Sequence, residues 1–273
     1  MLALLLFAGA QASAQAQTDP LPSWNDGSPK QAIVDFVRNT TTPGAPKFVP
    51  QAERIATFDQ DGTLWVEHPM PAFLNFALER LPEVVVAKPE LGKQEPFKTV
   101  LSGNRELIMK LTAKDFEKVI AVTCTGMPIE VFNAEVKKWI STSKDPHWLR
   151  PYTELTYQPM QEVLRYLRAN GFKTYIVTGG GQDFVRAYSD NVYGVPPEQV
   201  VGTADVTKFS YDKSGRPLLT KDPRLLLEDD NGGKAEGIHL MIGRRPNAAI
   251  GNSTGDQQML EYTAAGDGAR LMM

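Results

Sequence analysis

Cysteine occurs once in the 273 residues, at Cys124, so no intrachain disulfide, zinc–thiolate site or thiol redox pair can be built from this chain. Histidine is nearly as scarce. His68, His147 and His239 have no metal-ligand spacing between any two of them and read as ordinary polar residues. Clusters of one charge sign are missing too: Lys and Arg are scattered and the net charge is −3, which leaves no electrostatic footprint for a nucleic acid. The longest apolar run, Leu2 to Ala10, is too short to span a bilayer. Stability must therefore come from core packing, which this length and a 42% hydrophobic composition permit.

The apolar run at the start is followed by small residues, including Ala12-Ser13-Ala14. An apolar segment followed by an A-x-A pattern predicts a secretory signal over residues 1–16, cleaved after Ala14 or Ala16. The predicted location is periplasmic or secreted, with no membrane association after cleavage. The usual positive segment ahead of the apolar run is missing, which predicts a start that is late or truncated.

Short apolar segments alternate with helical patterns from residue 54 onward. Strands are expected at 54–59 (RIATFD), 172–181 (FKTYIVTGGG), within 246–256 (PNAAIGNSTGD) and at the C-terminal GARLMM. The second follows a helix in which Met160, Val163, Leu164 and Leu167 fall on one face, and the third follows a helix over about 234–242. Alternation of this kind predicts an α/β fold, a Rossmann-like parallel sheet with helices on both faces. The interval 65–157 is far longer than a crossover needs and carries helical patterns at 71–81, 104–111, 113–121 and 129–140. It reads as a helical cap inserted between the first two strands. Residues 17–64 form a leader and the start of the core, with a helix near 30–38, and 158–273 the remainder of the core. A small β-hairpin is expected at 206–220, around Lys213-Ser214-Gly215. The last strand lacks a covering helix, from which a truncated C-terminus is expected.

Four polar patterns stand at strand ends, where ligands bind in open α/β sheets. Asp59 and Asp61 lie two residues apart in FDQDGT, and carboxylates so close repel unless a cation or proton relieves them. The calcium-loop alternative fails, because its fifth and twelfth positions fall on Thr63 and Met70. Thr178 leads into Gly179-Gly180-Gly181, a strand-to-helix junction that lets backbone N–H groups approach an anion. Lys234 opens a helix, a position unfavourable for a cation unless an anion is near. Asn252 and Asp256 occupy GNSTGD, an oxygen-rich loop suited to a hard cation.

Taken together, FDQDGT, VTGGG, GGKAEGI and GNSTGD resemble the four motifs of the haloacid dehalogenase-like superfamily of phosphohydrolases, particularly its phosphoserine-phosphatase-like branch. The resemblance covers roughly residues 54–273 and implies a Mg²⁺-dependent phosphomonoester hydrolase acting on a small phosphorylated molecule. It implies Asp59 as nucleophile forming an aspartyl-phosphate, and Asp61 as acid and then base. It further implies Thr178, Gly179, Gly180 and Lys234 as phosphate-binding residues, with Thr178 and Lys234 counted among the catalytic set. Mg²⁺ would be held by Asp59, the Asp61 carbonyl and Asn252, with Asp256 as a ligand or just behind one, and Thr63 would support the loop. The chain departs from the pattern at Asn252, where an aspartate is common, and at Thr254, where a further acid often stands. A phosphotransferase or mutase on the same fold, or a catalytically silent exported binding protein, are the alternatives; dehalogenation has no need of Asp61. Trp65, Glu67 and His68 are candidates to face the substrate, and Phe73, Trp139 and Trp148 to line the cap.

Overall fold

Alternation along the central strands sends successive side chains to opposite faces of one sheet, and both faces are covered. In the computed structural model, which describes residues 19–273, the strands are β1 (Ile55–Phe58), β2 (Lys173–Gly181), β3 (Val200–Tyr211), β4 (Pro217–Leu227), β5 (Ala248–Ile250) and β6 (Leu271–Met272). Their order is β4-β3-β2-β1-β5-β6, parallel throughout except for the antiparallel β3–β4 pair. The predicted signal segment lies outside the described residues. Among the described residues no helix is long and apolar enough to cross a membrane.

Phe58, Ile176, Ala248 and Ile250 point to one face, packing with Ile33, Phe36 and Val37 of α1 (Ser28–Thr41). Val177, Val201 and Ala249 point to the other. Five helices follow β1: α2 (Ala72–Ala87), α3 (Phe97–Leu101), α4 (Arg105–Ile108), α5 (Ala113–Thr123) and α6 (Ile129–Thr142). Next come α7 (Gln158–Ala169), which also packs on the first face through Val163, Leu164 and Leu167, then α8 (Gln182–Arg186) and α9 (Ser189–Tyr193). The chain ends its helices with α10 (Gly232–Gly237), continued by a π-turn over Ile238–Ile242, and α11 (Gln257–Ala264), and these bury Ile238 and Met259 on the second face.

The helices inserted after β1 have a small core of their own, Leu81, Phe97, Val100 and Val119. They also share the large core, through Phe76, Phe132 and Val136 against Phe184. The two connections to the sheet lie side by side: Val66 N–H donates to the Leu155 carbonyl and Tyr157 N–H to that of Leu64.

Two elements differ from the sequence expectation. The helical pattern at 104–111 condenses to the single turn α4, where Asn104 caps the Leu107 N–H at 3.2 Å. The hairpin is much longer than 206–220, because β3 first runs parallel to β2 and then continues into antiparallel pairing with β4. The glycines after Thr178 belong to the strand expected at 172–181: β2 extends through Gly181, with a register shift between Thr178 and Gly181.

Candidate active site

Asp59 stands one residue past β1, and its N–H donates to the Ile250 carbonyl, which extends the β1–β5 ladder and fixes the backbone. The chain then folds into a tight turn, with the Thr63 and Leu64 N–H groups on the Gln60 carbonyl and the Gly62 N–H on that of Trp65. Gly62 has φ +84°, and a methyl group there would lie 2.0 Å from Asn252 Nδ2, so only glycine fits. The turn brings the indole of Trp65 back over Asp61, donating from Nε1 to Oδ1 at 2.6 Å.

Lys234 arrives from the other end of the chain on α10 and is buried. Its Nζ donates to Asp59 Oδ1 at 2.6 Å, Asp256 Oδ1 at 2.6 Å and the Val177 carbonyl at 3.0 Å. All three ammonium protons are thereby committed. In this arrangement the ammonium lies between the Asp59 and Asp256 carboxylates. Burial lowers the lysine's proton affinity, but Asp59 and Asp256 together outweigh it and the pKa is raised.

Asp256 is tied to the same lysine. Oδ1 is on Lys234, while Oδ2 accepts from Asn252 N–H and Ser253 N–H, both at 3.0 Å. Its carboxylate organises the loop after β5 and anchors the lysine. Asn252 does reach the centre, with Oδ1 3.2 Å from Thr63 Oγ1 and Nδ2 3.1 Å from Glu67 Oε1.

Thr178 is buried at the start of the glycine tract, and its hydroxyl accepts from Gly180 N–H at 3.0 Å. That N–H is thus engaged by the protein. The hydroxyl keeps its own proton to donate. A methyl on Gly180 would lie 3.3 Å from Thr178 Oγ1 and 3.8 Å from Asp61 Oδ2, so these two oxygens face one small volume. Gly179 is tied from beneath: Thr203 Oγ1 donates to its carbonyl at 2.8 Å and accepts from Asp229 N–H at 3.1 Å.

The electrostatics are dominated by acids. Asp59, Asp61, Asp229 and Asp256 gather around Lys234, and Glu67 adds its charge beside Asp61. Burial pushes Asp59 up, with Lys234 opposing. Asp61 is pushed up to about 7 by burial, against the pull of the Trp65 hydrogen bond. Asp229 is fully buried, and burial raises its pKa to about 7 in spite of Lys234 and the Thr178 backbone N–H. Such crowding is what a divalent cation relieves. Asp59, the Asp61 carbonyl and Asn252 Oδ1 are hard oxygen donors, few enough to suit Mg²⁺, which keeps several waters. Among the described residues no three His, Cys, Asp or Glu side chains group as a metal cage.

Of the residues suspected to face a substrate, Glu67, His68 and Trp148 line a cavity of about 370 Å³ beside Gly62, together with His147 and Tyr157. Trp65 does not; it is fully buried beneath Asp61, stacked on Tyr188. Trp139 is packed among Phe76, Tyr152 and Phe184, and Phe73 against Phe184. Asp229 and Thr203 escape sequence reading, because an acidic loop and a strand threonine look alike whether or not they meet a distant glycine.

A parallel α/β core with an inserted helical cap and an Asp–Lys–Asp centre at its strand ends defines a capped hydrolase-type enzyme. The family model for haloacid dehalogenase-like hydrolases matches residues 56–261, and the chain belongs to that family. No curated protein matches the sequence. Among solved structures, a conserved protein of unknown function from Anaerococcus prevotii DSM 20548 is 16% identical, with 85% of this chain and 82% of that one covered and a TM-score of 0.55. A protein of unknown function from Bordetella pertussis Tohama I is 18% identical over 77% and 86%, with a TM-score of 0.49. A phosphoserine phosphohydrolase-like protein from Francisella tularensis subsp. tularensis SCHU S4 is 18% identical over 78% and 84%, at 0.42.

Proposed function

We propose that the chain is an exported phosphomonoesterase that hydrolyses a small phosphate ester through Asp59, with Mg²⁺ as cofactor. The observation that carries this reading is the pairing of differently placed carboxylates. Asp59 Oδ1 is held by a buried ammonium, while Asp61, two residues on, sits under an indole with its pKa near neutrality. An anionic nucleophile next to a carboxyl that can carry a proton at neutral pH is what phosphoester cleavage requires. Export rests on the leader sequence alone.

In this reading an Asp59 carboxylate oxygen attacks phosphorus as the bond to the ester oxygen breaks, and Asp61 gives its proton to the departing alkoxide. Asp61, now a carboxylate, takes a proton from water as that water attacks phosphorus; the bond to Asp59 breaks and inorganic phosphate leaves. Thr178 donates its free hydroxyl proton to a phosphoryl oxygen, and Lys234 offsets charge without moving. When bound by Asp59, the Asp61 carbonyl and Asn252, Mg²⁺ supplies the positive charge that lets an anionic ester approach these acids.

Hydrolysis of a chromogenic aryl phosphate, with and without Mg²⁺, tests the reading. Asp59→Asn is expected to reduce kcat by at least about 10³-fold, the order seen when a nucleophile is removed. Activity that survives this change, or wild-type protein inert with metal, defeats the assignment.

A further inference from the structure

Glu67 touches the site without having a role in it so far. Its Oε1 lies 3.1 Å from Asn252 Nδ2, and its side chain is 30% exposed on the wall of the cavity. The other end of the same amide, Oδ1, faces the Thr63 hydroxyl at 3.2 Å, and that hydroxyl also stands close to Asp59. There is no slack between the partners: a methyl on Gly62 would be 2.0 Å from Asn252 Nδ2 and 2.7 Å from Glu67 Cδ. Chemistry fixes which way the amide points. An ionised carboxylate only accepts hydrogen bonds, so the NH₂ group must face Glu67, and the oxygen is turned toward Thr63 and Asp59. Without Glu67, the amide has no strong reason to prefer that orientation over its reverse, which would aim two N–H donors at a cation.

Charge points the same way. Asn252 is neutral at a position where a carboxylate would bring a full negative charge, and Thr254 adds none. Glu67 brings that charge one atom layer further out, through the amide it holds. Groups that orient metal ligands from behind are commonly worth 10- to 100-fold in affinity.

We propose that Glu67 is a positioning residue for the cation site: it locks the Asn252 side chain with its oxygen inward and supplies the negative charge that Asn252 lacks. The inference rests on the Mg²⁺-dependent reading given above. It also implies coupling. Asn252→Asp alone would set two carboxylates about 3 Å apart, and their repulsion would blunt the gain from a charged ligand. In a Glu67→Gln background that repulsion is gone, and Asn252→Asp is expected to strengthen metal binding more than it does in the wild type.

The test is metal affinity of the full chain, by calorimetric titration with Mg²⁺ and by electron paramagnetic resonance with Mn²⁺, neither of which needs substrate. Glu67→Ala is expected to weaken binding by about 10- to 100-fold. Glu67→Gln, whose amide oxygen can still accept from Asn252, is expected to lose less, and it carries the test alone should Glu67→Ala fold poorly. Wild-type binding matched within about twofold by both variants overturns the role of Glu67 and leaves the phosphatase reading standing. Equal effects of Asn252→Asp in both backgrounds likewise overturn it. Wild-type protein that binds neither ion overturns both.

Discussion

Two aspartates separated by one residue receive opposite treatment, and the difference comes from which side chains reach them. Asp59 has an ammonium on Oδ1, whereas Asp61 has an indole N–H and an aromatic surround that raises its pKa to about 7. Replacing Trp65 by Phe keeps an aromatic ring beside Tyr188 (indole and phenol centroids 5.1 Å apart) and deletes the N–H together with part of the buried indole. Asp61 would then lose the bond that aims it, and a misaimed general acid costs rate more than binding. Trp65→Phe is expected to lower kcat on an aryl phosphate by about 10- to 100-fold with KM changed less than about threefold; an unchanged kcat refutes the aiming role. The Asp59–Asp61 pair was legible in the sequence because strand period and a following glycine announce it. Trp65 was legible only as a residue near the motif, since its position beneath Asp61 depends on a turn closed by backbone bonds to Gln60.

At the scale of elements, long-range pairing decides where charged side chains go. Lys234 is delivered by α10, which starts abruptly after Asn231, a non-glycine residue at φ 51°. Gly233 is what allows this start: a methyl there would lie 1.8 Å from the Glu228 carbonyl oxygen, backbone that cannot yield cheaply. Gly233→Ala is expected to destabilise the fold by more than about 2 kcal/mol, read as a lowered midpoint in urea unfolding; a midpoint matching wild type would show that the loop can shift. The hairpin carries a second such constraint. Lys221 of β4 pairs with Asp183 at 2.6 Å and Asp205 at 3.0 Å, and its backbone bonds Gly126 and Met127 of the inserted cap, 2.8 and 3.1 Å away. Lys221→Met leaves Asp205 unpaired and Asp183 with only Arg186 at 3.8 Å, and is expected to cost about 3 kcal/mol, checked by the same measurement. These roles explain what was illegible. Alternation in 206–220 announced a hairpin, but the Val200–Asp205 half of β3 depends on β2 as partner.

The whole molecule carries a net charge of only −3, yet a group of buried acids stands where the strands end, and stability should therefore depend on pH. Asp229 illustrates this best, since it is fully buried and only Lys234 and the Thr178 backbone N–H favour its ionised form. Its pKa rises from 3.8 to about 7 on folding, chiefly through burial. A carboxyl raised in the folded state is protonated in both states below pH 4, so its contribution is fully present there. As pH climbs toward 7 the unfolded chain gives up this proton first, and the contribution is lost, to a limit of about 4 kcal/mol. Asp61 works in the same direction, so the loss has two sources. Asp229→Asn removes one of them while keeping the shape of the side chain. The variant's stability relative to wild type is expected to rise by about 2 to 4 kcal/mol between pH 4.5 and 8, measured by urea unfolding of metal-free protein. A difference that stays flat across that range would mean that Asp229 is already ionised in the folded protein at pH 4.5, with Lys234 compensating it. The same linkage predicts that Mg²⁺, which favours ionised carboxylates, raises the melting temperature more at pH 8 than at pH 5, because at pH 5 protons already occupy the acids that the cation would neutralise.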